Sequence, residues 1–506
     1  MGNGRLAALA TALVIILVSY PGVLFFGHSI QASHIIEEFS INPGQVDAKP
    51  YWEPSGRRPN EGYHDLGGAA WFMEPMAMFM RNCIRSGESP YWNPYSACGS
   101  LGPETLMDAK FSLFTLAVAL AGASSLSFHL ILFATHLIAL YCLYRLLAGP
   151  FALGRCASFV GCAVFYLGGA RLAFASSQVS LPLIMAPVLL YPLVAFMQNP
   201  RWSWFVLSIA GSAAVQLTQF VPGIIVVHLV ACALLVGFFL ELERHWSRSV
   251  WIRLALAFST FPLGVLLCAP LWFPFVASLA QTTLSSEYYG RMTSHVPAAA
   301  LFSLFSPQHL WESYSGFSRS GGMVIFPKGG SLASSVFHWG IVTTVLAATA
   351  FGAKNLRRRP LFWTLAILFL FVHCMEWRWP FISPLAELPV LRSIRYWYLG
   401  SLILVALLAA LGLENLNRRN CTSAPAIGGF VLLAGTFFLA WRIVGGIPPG
   451  RGVECILVLA VTSLCALFLL AGRLAERSLP WIQVFFPVLL LAELVNYANH
   501  LQPPRN

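Results

Sequence analysis

Long apolar runs alternate with short polar interruptions along the whole chain, and the length of the runs sets the reading. A bilayer core about 30 Å thick takes roughly 20 mostly apolar residues to cross as a helix. By that ruler, spans are predicted near 6–26, 126–147, 155–171, 179–197, 203–220, 223–241 and 252–279. Others follow near 336–353, 361–376, 397–415, 424–443, 453–472 and 480–499, which makes about 13 transmembrane helices by hydropathy. Open sheets cannot cross lipid because their edges would stay unsatisfied, and barrel strands would show as short alternating segments. The expected fold is an all-α polytopic membrane protein, with residues 1–506 forming a single integral membrane domain.

Composition agrees. The chain is 57% hydrophobic and 10% charged, whereas soluble domains run at about a quarter charged. The same figures exclude intrinsic disorder, which needs low hydrophobicity and high charge. Eleven Cys in 506 residues are too sparse for a secreted disulfide scaffold.

Basic residues near span ends set the orientation. With a cytoplasmic N-terminus, the inner gaps hold Arg155, Arg201, Arg244, Arg248, Lys354, Arg357, Arg358, Arg359, Arg418, Arg419, Arg473 and Arg477. The opposite short gaps hold fewer: Arg171, Arg378, Arg392, Arg395, Arg442 and Arg451. The expectation is N-in and C-out. The net charge of +11 is spread over many short loops; it suits an anionic leaflet and membrane lipids, and argues against a nucleic-acid partner. Arg5 and the following apolar core could also form a signal peptide cleaved after Ala32, but the stretch is longer than a signal core, so a retained span is expected.

Two outer loops are long, at 27–110 and 281–335. All three aspartates (Asp47, Asp65, Asp108) and seven of the 17 glutamates fall in the first, which is about a sixth of the chain. A long solvated stretch is where acids are free to occur, but these keep particular company. His64-Asp65-Leu66-Gly67-Gly68 precedes an apolar segment, 69–84, that is too short and too polar to span. It reads as an interfacial helix on the membrane. An acid just before it would stand at headgroup level near a positive helix end, where it could equally act as an N-cap. Gly87-Glu88-Ser89-Pro90-Tyr91-Trp92-Asn93-Pro94 follows, a rigid turn by its prolines and glycine.

These residues resemble the YfhO-like family of bacterial membrane glycosyltransferases in the GT-C superfamily. The likeness rests on Asp65, Pro75, Arg81, Gly87, Glu88, Pro90, Trp92, Asn93, Pro94 and Gly99, with Glu287–Arg291 and with Leu388-Pro389 before Arg392 and Arg395. It runs to about residue 416. The resemblance implies a GT-C-like arrangement in a bacterial inner (cytoplasmic) membrane. It also implies transfer of a sugar from a polyprenyl-phosphate donor to a lipid or cell-envelope glycan acceptor on the outer face.

That chemistry makes demands on the residues. The acceptor hydroxyl must lose a proton as it attacks, so a carboxylate is needed as general base; Asp65 is the expected one, with Asp108 and Glu61 as substitutes. The leaving phosphate needs cations, and Arg291, Arg392 and Arg395 are expected near outer span ends, where they could also snorkel to ordinary headgroups. His64, Glu88, Trp92, Asn93, Tyr288 and Tyr396 are expected to line the substrate site. Cys83 and Cys98 could form a disulfide on the outer, oxidising face. No outer loop carries a His-x-x-x-His or Cys-x-x-Cys pair, so no metal site or cofactor is expected, with a loosely bound divalent cation near Asp65 left open. His129 and His136 share a face within a span, where hydrogen bonding to a neighbouring helix is the ordinary role.

The main rival is a transporter or flippase of a lipid-linked substrate. Such proteins usually place ionisable residues in mid-membrane. Here the span interiors hold little beyond Gln216, Thr218, Gln219, His228, His373 and Glu493.

Overall fold

The computed structural model describes residues 2–25, 74–92, 110–168, 180–242, 247–279, 340–377, 397–417 and 482–500. All regular structure among the described residues is helical. The first helices are α1 (Gly2–Ser19), α2 (Pro21–Phe25), α3 (Glu74–Ser86), α4 (Leu113–Leu120), α5 (Ser125–Ala148) and α6 (Arg155–Leu167). Next come α7 (Leu181–Gln198), α8 (Trp202–Gln216), α9 (Val221–Leu242), α10 (Arg248–Leu267) and α11 (Ala269–Leu279). The last are α12 (Ile341–Ala350), α13 (Lys354–Arg357), α14 (Pro360–Trp377), α15 (Tyr398–Asn417) and α16 (Ile482–His500). Four of them, α5, α7, α9 and α10, are long and apolar enough to cross a membrane, and several shorter apolar helices stand with them. The chain is a helical, multi-pass membrane protein. The spans expected at 424–443 and 453–472 lie outside the described residues, as does the whole 281–335 loop.

Burial decides which helix is central. Residues 400–415 of α15 are buried on every side, as expected for a helix that is apolar all round. It is surrounded by α6, α12 and α14. Gly412 allows the closest approach: a Cβ there would stand 1.8 Å from the Leu346 carbonyl oxygen of α12. At the rim the pattern reverses. In α10, Trp251, Ile252, Leu266 and Leu267 are exposed apolar side chains, as a lipid-facing helix requires.

Hydrogen bonds between distant segments fix which helix ends lie together. At one end, Gln198 Nε2 donates to the Pro150 carbonyl (2.8 Å), the Gly154 N–H donates to Glu414 Oε2 (2.8 Å), and Arg359 pairs with Glu241. Arg155, Arg201, Arg248, Arg357 and Arg358 stand at this same end. At the other, the Phe111 N–H donates to Gln219 Oε1 (3.0 Å), and Glu493 accepts from Ile341 and Val342. Each bond joins segments that the alternation of spans assigns to one face. The arginines therefore share a face opposite the end of the first long loop.

Two expected spans are broken. The 252–279 run stops at Cys268 and restarts as α11, because Pro270 has no N–H to continue the ladder and its ring crowds the carbonyl four residues earlier. The first run breaks at Tyr20, ahead of Pro21, which opens α2. The short helix α4 is unanticipated: eight residues fall below any spanning ruler, although Ser112 caps it through Oγ to the Thr115 N–H (3.1 Å).

Some polar groups inside the bundle find partners across helices, as expected for His136, whose Nδ1 lies 2.5 Å from the Tyr166 hydroxyl, whereas His129 Nδ1 lies 2.7 Å from the Ser125 carbonyl of its own helix. His228 sits between the Ser212 hydroxyl (3.2 Å) and the Gln216 amide (3.4 Å), with its Nδ1 2.8 Å from the Ile224 carbonyl. Two carboxylates do a different task. Both α6 and α12 begin at a glycine, Gly154 and Gly340, that has no side chain to cap the helix. Glu414 of α15 reaches the first, and Glu493 of α16 accepts from Ile341 N (2.5 Å) and Val342 N (3.0 Å) at the second. Gly340 has φ +92, and a Cβ there would meet Glu493 Oε2 at 2.7 Å. A glycine is what lets the acid approach.

Candidate active site

The segment that carries the sequence motif begins with α3. Its apolar residues Met76, Ala77, Met80 and Cys83 fall at helical spacing and are buried against the bundle, where α3 packs on α4. Asn82, Arg85 and Ser86 are exposed. This one-sided burial is what the sequence predicts for an interfacial helix. The helix runs to Ser86, two residues beyond the expected end. It stops there because Gly87 adopts φ +70 and the Glu88 N–H turns back to the Cys83 carbonyl (3.1 Å), closing a glycine-terminated cap.

Beyond the cap, Ser89 Oγ accepts from the Tyr91 N–H at 3.3 Å, tightening the turn that leads to Trp92. Three interactions tie this turn to the bundle. The Tyr91 and Phe111 rings tilt against each other at 5.3 Å. Lys110 is fully buried, and its Nζ donates to the Tyr91 carbonyl at 3.5 Å. The next residue donates its N–H to Gln219, which holds φ +60 at the junction of α8 and α9. A non-glycine residue in that left-handed region is strained, and here it aims the carboxamide at the start of α4. Lys110 and Gln219 were not among the residues expected at the site. Nothing local marks Lys110 as an anchor of the turn, or Gln219 as the anchor of a residue more than a hundred positions earlier.

Electrostatics within the segment are modest. Burial first, and then the neighbouring Glu88 carboxylate, push the Cys83 thiol up, with Lys110 acting in the opposite direction. A thiol held in its protonated form is a packing group and a poor nucleophile. Arg81 carries a buried Nε with no hydrogen-bond partner.

Of the expected site residues, Glu88 and Trp92 lie in this turn, both exposed. Cys83 is a buried free thiol; Cys98, its expected partner, lies outside the described residues. So do His64, Asp65, Asn93, Tyr288, Arg291, Arg392, Arg395 and Tyr396. Among the described residues, no group of three or more His, Cys, Asp or Glu could hold a metal ion.

No family model matches the chain, and no curated protein matches it. Among solved structures it is similar to the crystal structure of ArnT from Cupriavidus metallidurans bound to undecaprenyl phosphate. The TM-score is 0.41 and the identity 15%, over 85% of this chain and 72% of that one. A likeness of that size assigns neither a fold family nor an activity to this chain.

Proposed function

We propose that the chain is a GT-C-type membrane glycosyltransferase. It would move a sugar from a polyprenyl-phosphate donor to a lipid or cell-envelope glycan acceptor, with Asp65 as general base. The observation that carries this reading is helix α3, buried on one side only and opposite the end where Arg155, Arg201, Arg357 and Arg358 stand, followed by the turn from Gly87 to Trp92 that Lys110, Phe111 and Gln219 hold against the bundle. Such a helix rides at headgroup level, where a lipid-borne phosphate meets a water-borne alcohol. The segment also carries the residues that resemble the YfhO-like family.

In the proposed mechanism Asp65 takes the acceptor proton as the hydroxyl attacks the anomeric carbon. Arg291, Arg392 and Arg395 neutralise the charge that grows on the departing phosphate. The motif turn presents Glu88, Trp92 and Asn93 to the sugar, with His64, Tyr288 and Tyr396 completing the lining. Transport fits less well. Glu493, the acid deepest in an expected span, is engaged by two backbone N–H groups as a helix cap, which leaves it little freedom to couple solute movement.

The test uses the purified full chain in liposomes with a polyprenyl-phosphate sugar and a cell-envelope glycan fraction. Asp65→Asn should preserve expression and donor binding while transfer falls by at least about a hundredfold, the usual scale for a lost general base. Retained transfer removes Asp65 as the base. Movement of a lipid-linked substrate across the membrane without sugar transfer supports a flippase instead.

A further inference from the structure

We infer that the arginine segment preceding α14, together with the outward face of that helix, is a binding site for the headgroup and acyl chains of an anionic phospholipid. This is independent of the catalytic reading and lies at the opposite end of the bundle.

The segment Lys354-Asn355-Leu356-Arg357-Arg358-Arg359 carries four cations in six residues. They are not equivalent. Arg359 turns inward and pairs with Glu241 of α9 through two bonds, Nη2 to Oε2 at 3.0 Å and Nε to Oε1. That pair is set by close packing of α9 on α14: a Cβ on Gly237 would stand 2.8 Å from Leu361 Cδ1, so the helices meet one turn from the ion pair. With Glu241 occupied, Arg357 and Arg358 project outward. Both are exposed, and among the described residues neither has an ion pair. Two adjacent unpaired guanidiniums would repel each other, and a phosphodiester relieves that repulsion through charge-assisted hydrogen bonds.

The surface below them identifies the occupant. Trp363 donates Nε1–H to the Arg357 carbonyl at 2.8 Å, which ties the indole to the backbone of the arginine segment. Trp363, Ile367 and Leu370 then follow at spacings of four and three, on one stripe of α14, and are 44%, 64% and 62% exposed. A cationic head, an interfacial indole and an apolar stripe in line match a phospholipid from head to tail. An acidic soluble partner would have no use for Ile367 and Leu370.

The test is native mass spectrometry of the full chain, released from mixed micelles containing dioleoyl phosphatidylglycerol and dioleoyl phosphatidylcholine. The wild type is expected to retain phosphatidylglycerol in preference. The double variant Arg357→Gln/Arg358→Gln should weaken that retention by about 30-fold, the product of two headgroup charges. Arg357→Lys/Arg358→Lys should keep most of it, which separates loss of charge from loss of fold. Arg201→Gln, a lone exposed arginine at the same end, should change it less than about fivefold. Equal retention of the two lipids by the wild type, or an unchanged Arg357→Gln/Arg358→Gln variant, overturns the site.

Discussion

Among the described residues, Glu493 is the acceptor for two amides at the start of α12, and that makes its removal measurable at single residues. The first N–H groups of a helix have no acceptor within the helix itself. At α12 these include Ile341 and Val342, which donate to Glu493 at 2.5 and 3.0 Å, whereas the Thr344 N–H already reaches the Gly340 carbonyl at 3.1 Å. Glu493→Gln keeps one acceptor oxygen and turns an amide NH₂ toward the second donor. One buried donor left unsatisfied costs roughly 1–3 kcal/mol. If that cost appears as easier local opening, exchange rises by about 5–150-fold. Hydrogen exchange of the chain in nanodiscs should therefore show faster exchange at Ile341 or Val342 in Glu493→Gln, at both in Glu493→Ala, and little change at Thr344. Glu241→Gln, at the other end, should leave all three unaltered. Undisturbed protection of both amides in Glu493→Ala would refute the capping role.

Two other perturbations test the packing and the electrostatics. Gly412→Ala places a methyl 1.8 Å from the Leu346 carbonyl oxygen and must drive α12 from α15. A loss of about 1–3 kcal/mol is expected for such overpacking, read as a lower melting temperature in detergent; an unchanged melting point contradicts the observed approach. Cys83 should react slowly with maleimide at neutral pH, because burial and then Glu88 raise its thiol and leave less thiolate. Its labelling should climb with pH only above the range of an ordinary cysteine, and Glu88→Gln should shift that rise to lower pH. A profile that Glu88→Gln does not move would remove the carboxylate as a cause.

How much of this was legible in the sequence depends on distance along the chain. Uninterrupted apolar runs announced α5, α7, α9 and α14 to within a few residues, since bilayer thickness is read from one segment at a time. The apolar segment at 69–84, too short and too polar to span, likewise announced α3, although the helix ends two residues later, at Ser86. The breaks at Tyr20 and Cys268 could have been read from Pro21 and Pro270, but hydropathy averages over such local chemistry. What could not be read were relations across the fold. Glu493 looks like an isolated acid in one span, and Gly340 like an ordinary residue of another, until α16 brings them together. Gln219 and Phe111 are the same case: the anchor of the motif turn is invisible from the motif.

The two borrowed caps also bear on how the protein is made. Gly154 waits for an acid 260 residues downstream, and Ile341 for one 152 residues downstream. During synthesis, α6 and α12 enter the lipid with their opening turns still wanting acceptors, and only later arrivals complete them. Biogenesis therefore closes from the tail. A nascent chain halted before α16 would leave the Ile341 and Val342 N–H groups without the acid that receives them.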